Sequence, residues 1–496
     1  MSEGEKLFVA PLDAETQWQE FEALVRNETA FFDATGPIAG ARAPGRLDVM
    51  GGVADYSGSI VMEMPIAEAA CVAWQWREDR TIHIRTVGPE SAGLDPDVRL
   101  SLDDLIDSEN RMRPIEEVKA RLTAEPSTRW AAYLAGCYYV LLAAYSKVSQ
   151  GRVDERLGEQ GANILLKSDV PLGAGVSSSA AIEVATMMAL SEASGVQPSD
   201  LTLAAWCQRV ENAIVGAPCG LMDQVTVALG DANALTVLRC QPHDLLGTQQ
   251  IPTGWRFIGI DSGVKHSVGG SAYTRARVGA FMGLKIIQLE SGGKLLDNYL
   301  CNMSPDEFLA YRDLIPESLT GAEYHELYGR LPDLVTRVNI EETYRPRACA
   351  EHPIQENERA KHLFALLQIA VIRQEESFAV HSHVLLDEPV LVEAGRLMYA
   401  AHASYSDRLD LGSPETDLLV ALVRERGAGR GLYGAKITGG GAGGTVAVLC
   451  LDTPEAEDTL REVCAVYQER TGITPRTFVG SSPGAVAFGA RPIPRG

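Results

Sequence analysis

Residues Pro171–Ala181 read PLGAGVSSSAA: a glycine-rich turn that empties into three consecutive serines with no lysine beside them. The preceding NILLKSDV, residues 163–170, alternates as a half-buried strand does. The following AIEVATMMALSEASG is an apolar helical pattern ending at Gly195. Strand, glycine loop and helix start in that order aim several backbone N–H groups at one spot, where the helix macrodipole also favours negative charge. A phosphate is the natural guest. The lysine-bearing Walker pattern is absent here and throughout the chain, and a glycine turn closed by a serine N-cap would read the same on this stretch alone.

The chain has 496 residues, a length that suits two or three packed domains. Lys plus Arg total 44 against 66 Asp plus Glu, a net charge of −22. That acidic excess argues against nucleic acid or an anionic membrane as the main partner. The run WAAYLAGCYYVLLAAYS, Trp130–Ser146, is too short for a membrane span and carries four tyrosines, so it reads as a buried helix. The first residues show no secretory pattern, and nine scattered cysteines without a CxxC pair suit reduced thiols. Both point to a cytoplasmic protein. No HExxH occurs, and His381 with His383 forms a lone HxH of little weight as a metal site.

Residues 40–250 read as α/β, with strands such as SIVMEMPI and helices at 130–146 and 180–194. After Pro252-Thr253-Gly254 the character changes, and WRFIGIDSG opens a new strand-and-turn pattern. The expected division is therefore 1–253 and 254–496. Residues 285–350 look like a helical insertion on the second part, and FVGSSPGAVAFG near the end is expected to be extended. Gly439, Gly441 and Gly444 formally spell GxGxxG, but Thr445-Val446-Ala447-Val448-Leu449 follows as a strand. A dinucleotide loop opens a helix instead, so that reading is rejected.

Two further stretches carry chemistry-bearing residues. ARAPGRLDVMGGVADYSGSIV, Ala41–Val61, brings Arg46, Asp48 and Asp55 together among glycines. ENAIVGAPCGLMDQVTVALG holds Glu211 and Asp223 around a Pro-Cys-Gly break. Singly, each would pass for a solvated turn or helix face. In order, APGR-x8-DYxG, PxGxGVSSSA, E-x11-D within GxPCGxMDQ, and TGGGxGG resemble the GHMP small-molecule kinases, and specifically their galactokinase branch. The segment VKHSVGGSAY, Val264–Tyr273, is a further galactokinase-type feature.

The resemblance implies an α/β (α+β), two-domain GHMP kinase fold with the active site in the interdomain cleft, and ATP with Mg²⁺ as cofactors. Pro171, Gly173, Gly175, Ser177, Ser178, Ser179 and Ala180 would hold the phosphates, with Gly440 and Gly441 beside them and Trp130 near the adenine. Ser179 and Glu211 would ligate Mg²⁺. Asp223 matches the catalytic aspartate and Arg46 the arginine that keeps it ionised. Asp48, Asp55, Gly220 and Tyr273 match the sugar-binding positions.

One departure concerns the sugar. Where galactokinases carry Glu-His before Asp-Tyr, this chain has Gly52-Val53, and Asp48 stands where they have Asn. The family's Glu-His reaches the hydroxymethyl at the sugar's sixth carbon. GRLDVMGGVADYSG is similar to the L-arabinokinase branch, whose sugar has the ring stereochemistry of D-galactose without that group. The resemblance therefore implies a sugar-1-kinase for L-arabinose. Only about forty residues precede the kinase motifs, so a kinase standing alone is expected. A galactokinase, a galacturonokinase-like enzyme and a non-catalytic sugar and ATP sensor remain as alternatives. The sensor is disfavoured by the intact serine loop, and galacturonate by the lack of a cation at 52–53.

Overall fold

The computed structural model describes residues 13–88, 93–109, 111–148, 155–241, 243–265, 271–293, 299–381 and 386–494. Two sheets carry the architecture. The larger runs, edge to edge, through Arg491–Pro492, Ala39–Met50, Ile60–Trp76, Ala162–Ser168, Thr81–Val87 and Asp97–Ser101. Ala234–Arg239 and Asp244–Gln250 branch from the start of Ile60–Trp76. Thr81–Val87 and Ala162–Ser168 run parallel, and the chain between them is long enough to hold the helix Ala131–Val148.

That helix, AAYLAGCYYVLLAAYSKV, is rich in strong helix formers and apolar on nearly every side, as a buried helix must be. Tyr138 from it meets the rings of Trp74 and Trp76 edge-on, at 5.5 and 5.7 Å between centroids. The helix Ser178–Ser194 shares this core and packs on the strands Ala39–Met50 and Ile60–Trp76. The strand at SIVMEMPI is far longer than its sequence suggests, continuing through AEAACVAWQW to Trp76. Its alanines have weak strand preference, but they fit a strand buried on both faces.

The smaller sheet is antiparallel, in the order Leu432–Ile437, Thr445–Leu451, Trp255–Asp261, Arg476–Phe478. The glycine stretch 438–444 therefore joins two antiparallel neighbours, as expected of a loop that opens no helix. Helices Pro414–Arg426 and Pro454–Thr471 cover this sheet. Each starts on a hydroxyl cap, Ser413 or Thr453, followed by proline at the first helical position.

The described residues of 285–350 contribute no strand to either of these sheets. They comprise the end of the helix Ser271–Glu290, short helices Pro305–Arg312 and Gly321–Tyr328, and a two-residue ladder between Leu319–Thr320 and Thr343–Tyr344. The 36-residue helix Pro346–His381 then lies along Ser271–Glu290. Near the C-terminus, FVGSSPGAVAFG departs from expectation. Only its first residue is extended, and Ala485–Phe488 coils into a helical turn after Pro483-Gly484. The chain then returns to the larger sheet, where Arg491–Pro492 pairs with Ala39 and Gly40.

Candidate active site

A cleft runs between the two sheets, and the serine loop forms one wall of it. Gly173, Gly175 and Ser177 take positive φ of 78°, 74° and 58°. The loop's carbonyls are turned into the protein: Ala174 O accepts from Thr445 Oγ1 at 2.8 Å, Gly175 O from Arg46 Nη1 at 2.7 Å, and Val176 O from the Arg46 amide at 3.1 Å. Because a trans peptide sets N–H opposite C=O, the amides that follow them face the cleft at the start of the helix Ser178–Ser194. Ser177 caps that helix without a side-chain capping bond, and its buried hydroxyl has no protein partner. A bland N-cap would have used it. Ser178 and Ser179 also line the cleft.

Arg46 and Asp223 meet across the floor. Asp223 Oδ1 accepts from Arg46 Nε at 2.9 Å and lies 2.7 Å from Nη2, while Glu63 Oε2 lies 2.7 Å from Nε. Burial alone would lower the arginine's pKa, but Asp223, Glu63 and Asp48 more than offset it, so the guanidinium stays charged. Asp223 keeps 18% side-chain exposure, toward the cleft, and sits in the first turn of the helix Met222–Leu229. The helix dipole favours its anion there.

Glu211 lies on a π-helical turn, Val210–Val215, of the kind that often marks a functional position. Its Oε2 accepts from Gln224 Nε2 at 2.8 Å, and the same nitrogen donates to Glu183 Oε2 at 3.2 Å. Burial, then the charge of Asp223, pushes Glu211 up to about 7 against hydrogen bonds from Ser179, Cys219 and Gln224. Burial, then the charge of Glu211, pushes Glu183 well above its ordinary value.

At the other end of the cleft, Val53, Asp55, Gly220 and Tyr273 come together. Gly220 has no room for a side chain, since a Cβ there would fall 1.6 Å from Asp55 Oδ2. Burial pushes Asp55 up to about 6, with Arg277 pulling it down. Val53 holds φ +54°, costly for a β-branched residue. The turn before it is held from the helix Pro346–His381: Glu356 Oε1 accepts from the Gly51 amide at 3.1 Å, and His352 Nε2 lies 3.2 Å from Gly52 O. A Cβ on Gly52 would fall 2.1 Å from both Asp48 Oδ2 and Tyr405 Oη.

Trp130 lines the opposite recess with Leu94, Tyr133, Val87 and Leu166, and its indole donates to Asp95 O at 3.0 Å. Gly440 also reaches the cleft. Four expected residues do not line it. Pro171 and Ala180 are buried where the loop enters and leaves, and Gly441 faces Leu411 and Tyr405. Asp48 is the fourth. Its carboxylate is wholly buried, 2.9 Å from Lys436 Nζ, and accepts from the Gly439 amide at 3.2 Å. It links the two sheets within the protein interior. Within VKHSVGGSAY, residues 266–270 lie outside the described residues, as does His383.

Glu63, Gln224, Glu183 and Arg277 were not singled out in the sequence. Gln224 stands inside the quoted GxPCGxMDQ motif, next to Asp223. Glu63 stands opposite Asp48 in the register of two paired strands, and a lone acid in the apolar run IVMEMPI was its signal.

Comparison with known proteins agrees with this arrangement. The profile described as GHMP kinases N terminal domain matches residues 139–231, and that described as GHMP kinases C terminal matches 383–469. Together with the two-sheet fold, these matches identify GHMP kinase N-terminal and C-terminal domain segments in the chain. An L-arabinokinase of Arabidopsis thaliana is 39% identical over 90% of this chain, which spans only 46% of that protein. A galactokinase of Chloroflexus aggregans is 28% identical over 89% of this chain and 91% of its own length. The crystal structure of Lactococcus lactis galactokinase complexed with galactose shares the fold, with a TM-score of 0.68 at 21% identity, covering 95% of this chain and 99% of that one. Among the described residues, no helix is long and apolar enough to cross a membrane.

Proposed function

We propose that this protein is an ATP-dependent sugar-1-kinase that converts L-arabinose to L-arabinose 1-phosphate with release of ADP, acting in the cytoplasm. Residues 1–253 and 254–496 are its two domains. The observation that carries the choice of sugar is the wall at Gly52-Val53. Position 52 has no space for any side chain, and position 53 presents an apolar one beside Asp55 and Tyr273. A pentopyranose leaves nothing to satisfy there, whereas a hydroxymethyl would lose its water and gain no partner.

The sugar's anomeric hydroxyl is placed at Asp223, which orients it and accepts its proton as the oxygen attacks the γ-phosphorus and the bond to ADP breaks. Arg46, paired with Asp223, stabilises charge on the transferring group. Asp55, the Gly220 backbone and Tyr273 hold the ring. Gly173, Gly175, Ser177 and Ser178 hold the phosphates, and the Trp130 recess takes the adenine. The donor set suits Mg²⁺. Ser179 and Glu211 are two hard oxygen ligands beside the phosphate loop, and a cation's charge would oppose both effects that raise Glu211. Among the described residues no group of three or more acidic, His or Cys side chains could hold a metal, so phosphate and water oxygens would complete its shell. When bound, Mg²⁺ supplies neutralisation of the phosphates.

A panel of L-arabinose, D-galactose and D-galacturonate assayed for ADP release tests this reading. L-Arabinose should be the best substrate, and no turnover with any of the three would contradict a sugar kinase.

A further inference from the structure

The described residues of 285–350 stand outside both large sheets, yet one of them reaches the back of the sugar end of the cleft. Asp333 accepts from Arg277 through both oxygens, Oδ2 from Nε at 2.9 Å and Oδ1 from Nη2 at 3.1 Å, with side chains only 4% and 6% exposed. The carboxylate is preset for this pairing by the amides of Val335 and Thr336, at 3.0 and 3.1 Å. Leu331, in the same loop, packs with Tyr324 and Tyr344 onto Val278 and Met282 of the helix that carries Arg277.

Held in that fork, the guanidinium lies 5.2 Å from the centre of the Tyr56 ring, and Tyr56 in turn meets Tyr273 edge-on at 6.4 Å. Arg277 acts electrostatically on both Tyr273 and Asp55, the two polar side chains at this end of the cleft. Its Nη1 is buried without a protein acceptor, a donor left over after the fork is made. A buried cation fixed this firmly is costly unless its charge is used.

We infer that Arg277, clamped by Asp333, is a positioning residue for the sugar: it orients Tyr273 and holds Asp55 as a carboxylate, so the 285–350 segment governs sugar affinity from behind the cleft wall. The inference rests on the function proposed above. The groups that face Asp55 have opposing effects. Burial, Asp223 and Asp48 raise its pKa, while Arg277 and the Tyr56 amide lower it. Tyr273, Tyr405, Cys240 and Cys301 are neighbours that burial keeps neutral. Arg277 is therefore the cation that opposes protonation of Asp55.

The test is steady-state kinetics of the full chain and of Asp333→Ala, Arg277→Met and Arg277→Lys, with L-arabinose and MgATP varied separately from pH 5 to 8. Asp333→Ala should raise the KM for the sugar roughly tenfold, the scale of one charged hydrogen bond, and leave the KM for MgATP within about twofold. Arg277→Met should move the acid limb of kcat/KM for the sugar upward by about one pH unit. Arg277→Lys keeps the charge and should leave the limb in place while the sugar KM rises, which keeps the test decisive should the Met variant not fold. Sugar KM and acid limb unchanged in folded variants would overturn the inference alone. Absence of sugar turnover by the unsubstituted protein would overturn the proposed function and this inference with it.

Discussion

Asp48 and Lys436 form an ion pair 2.9 Å long with neither side chain exposed, joining the strand Ala39–Met50 of one sheet to Leu432–Ile437 of the other. Asp48, with Tyr405, also fills the space beside Gly52. Removing one partner strands a buried charge, at a cost of about 3–5 kcal/mol. Asp48→Ala should therefore lower unfolding free energy by that amount in a urea titration, and Asp48→Ala with Lys436→Met should recover much of it. A single-variant loss under about 1 kcal/mol would contradict the bracing role.

Asp223→Asn keeps the shape of the side chain but removes the charge that Arg46 holds at the cleft. Turnover should fall by about 10²–10⁴, while calorimetry finds sugar and MgATP binding nearly unchanged. Retention of more than a third of the activity would remove Asp223 from the mechanism.

Ser177 and Ser179 separate two uses of the serine loop. The Ser177 hydroxyl has no partner in the fold, so Ser177→Ala should leave the Tm unchanged or slightly raised and raise the KM for ATP. Ser179→Ala should increase the requirement for both Mg²⁺ and ATP, because its hydroxyl adjoins Glu211. Unaltered nucleotide and metal dependence in both variants would make the loop merely structural.

Gly52→Glu paired with Val53→His should fail to yield a galactose-preferring enzyme. Val53 takes positive φ, and a side chain at position 52 is barred by Asp48 and Tyr405. The double variant should lose stability in thermal melts. A stable variant that prefers D-galactose would refute this packing account.

The convergence of the serine loop, Glu211, Asp223 and Arg46 on one cleft was legible because each belongs to a short contiguous motif with its own local geometry. The two-part α/β fold followed from the change of pattern near residue 253. The burial of Asp48 was not legible because its partner lies 388 residues away, and no local pattern announces an ion pair between two sheets. Arg277 escaped for the same reason: its significance depends on Asp333, in a segment whose sequence shows only short helices and turns. The full length of Ile60–Trp76 was hidden by alanines, whose place in a strand is decided by tertiary burial.

The wall at Gly52-Val53 makes the choice of sugar the most direct test of the whole account. With matched concentrations of L-arabinose and D-galactose and saturating MgATP, the account predicts a kcat/KM for L-arabinose higher by about ten- to a hundredfold. That is the scale of one stranded hydroxyl, roughly 1–3 kcal/mol. A kcat/KM for D-galactose equal to or above that for L-arabinose would contradict it.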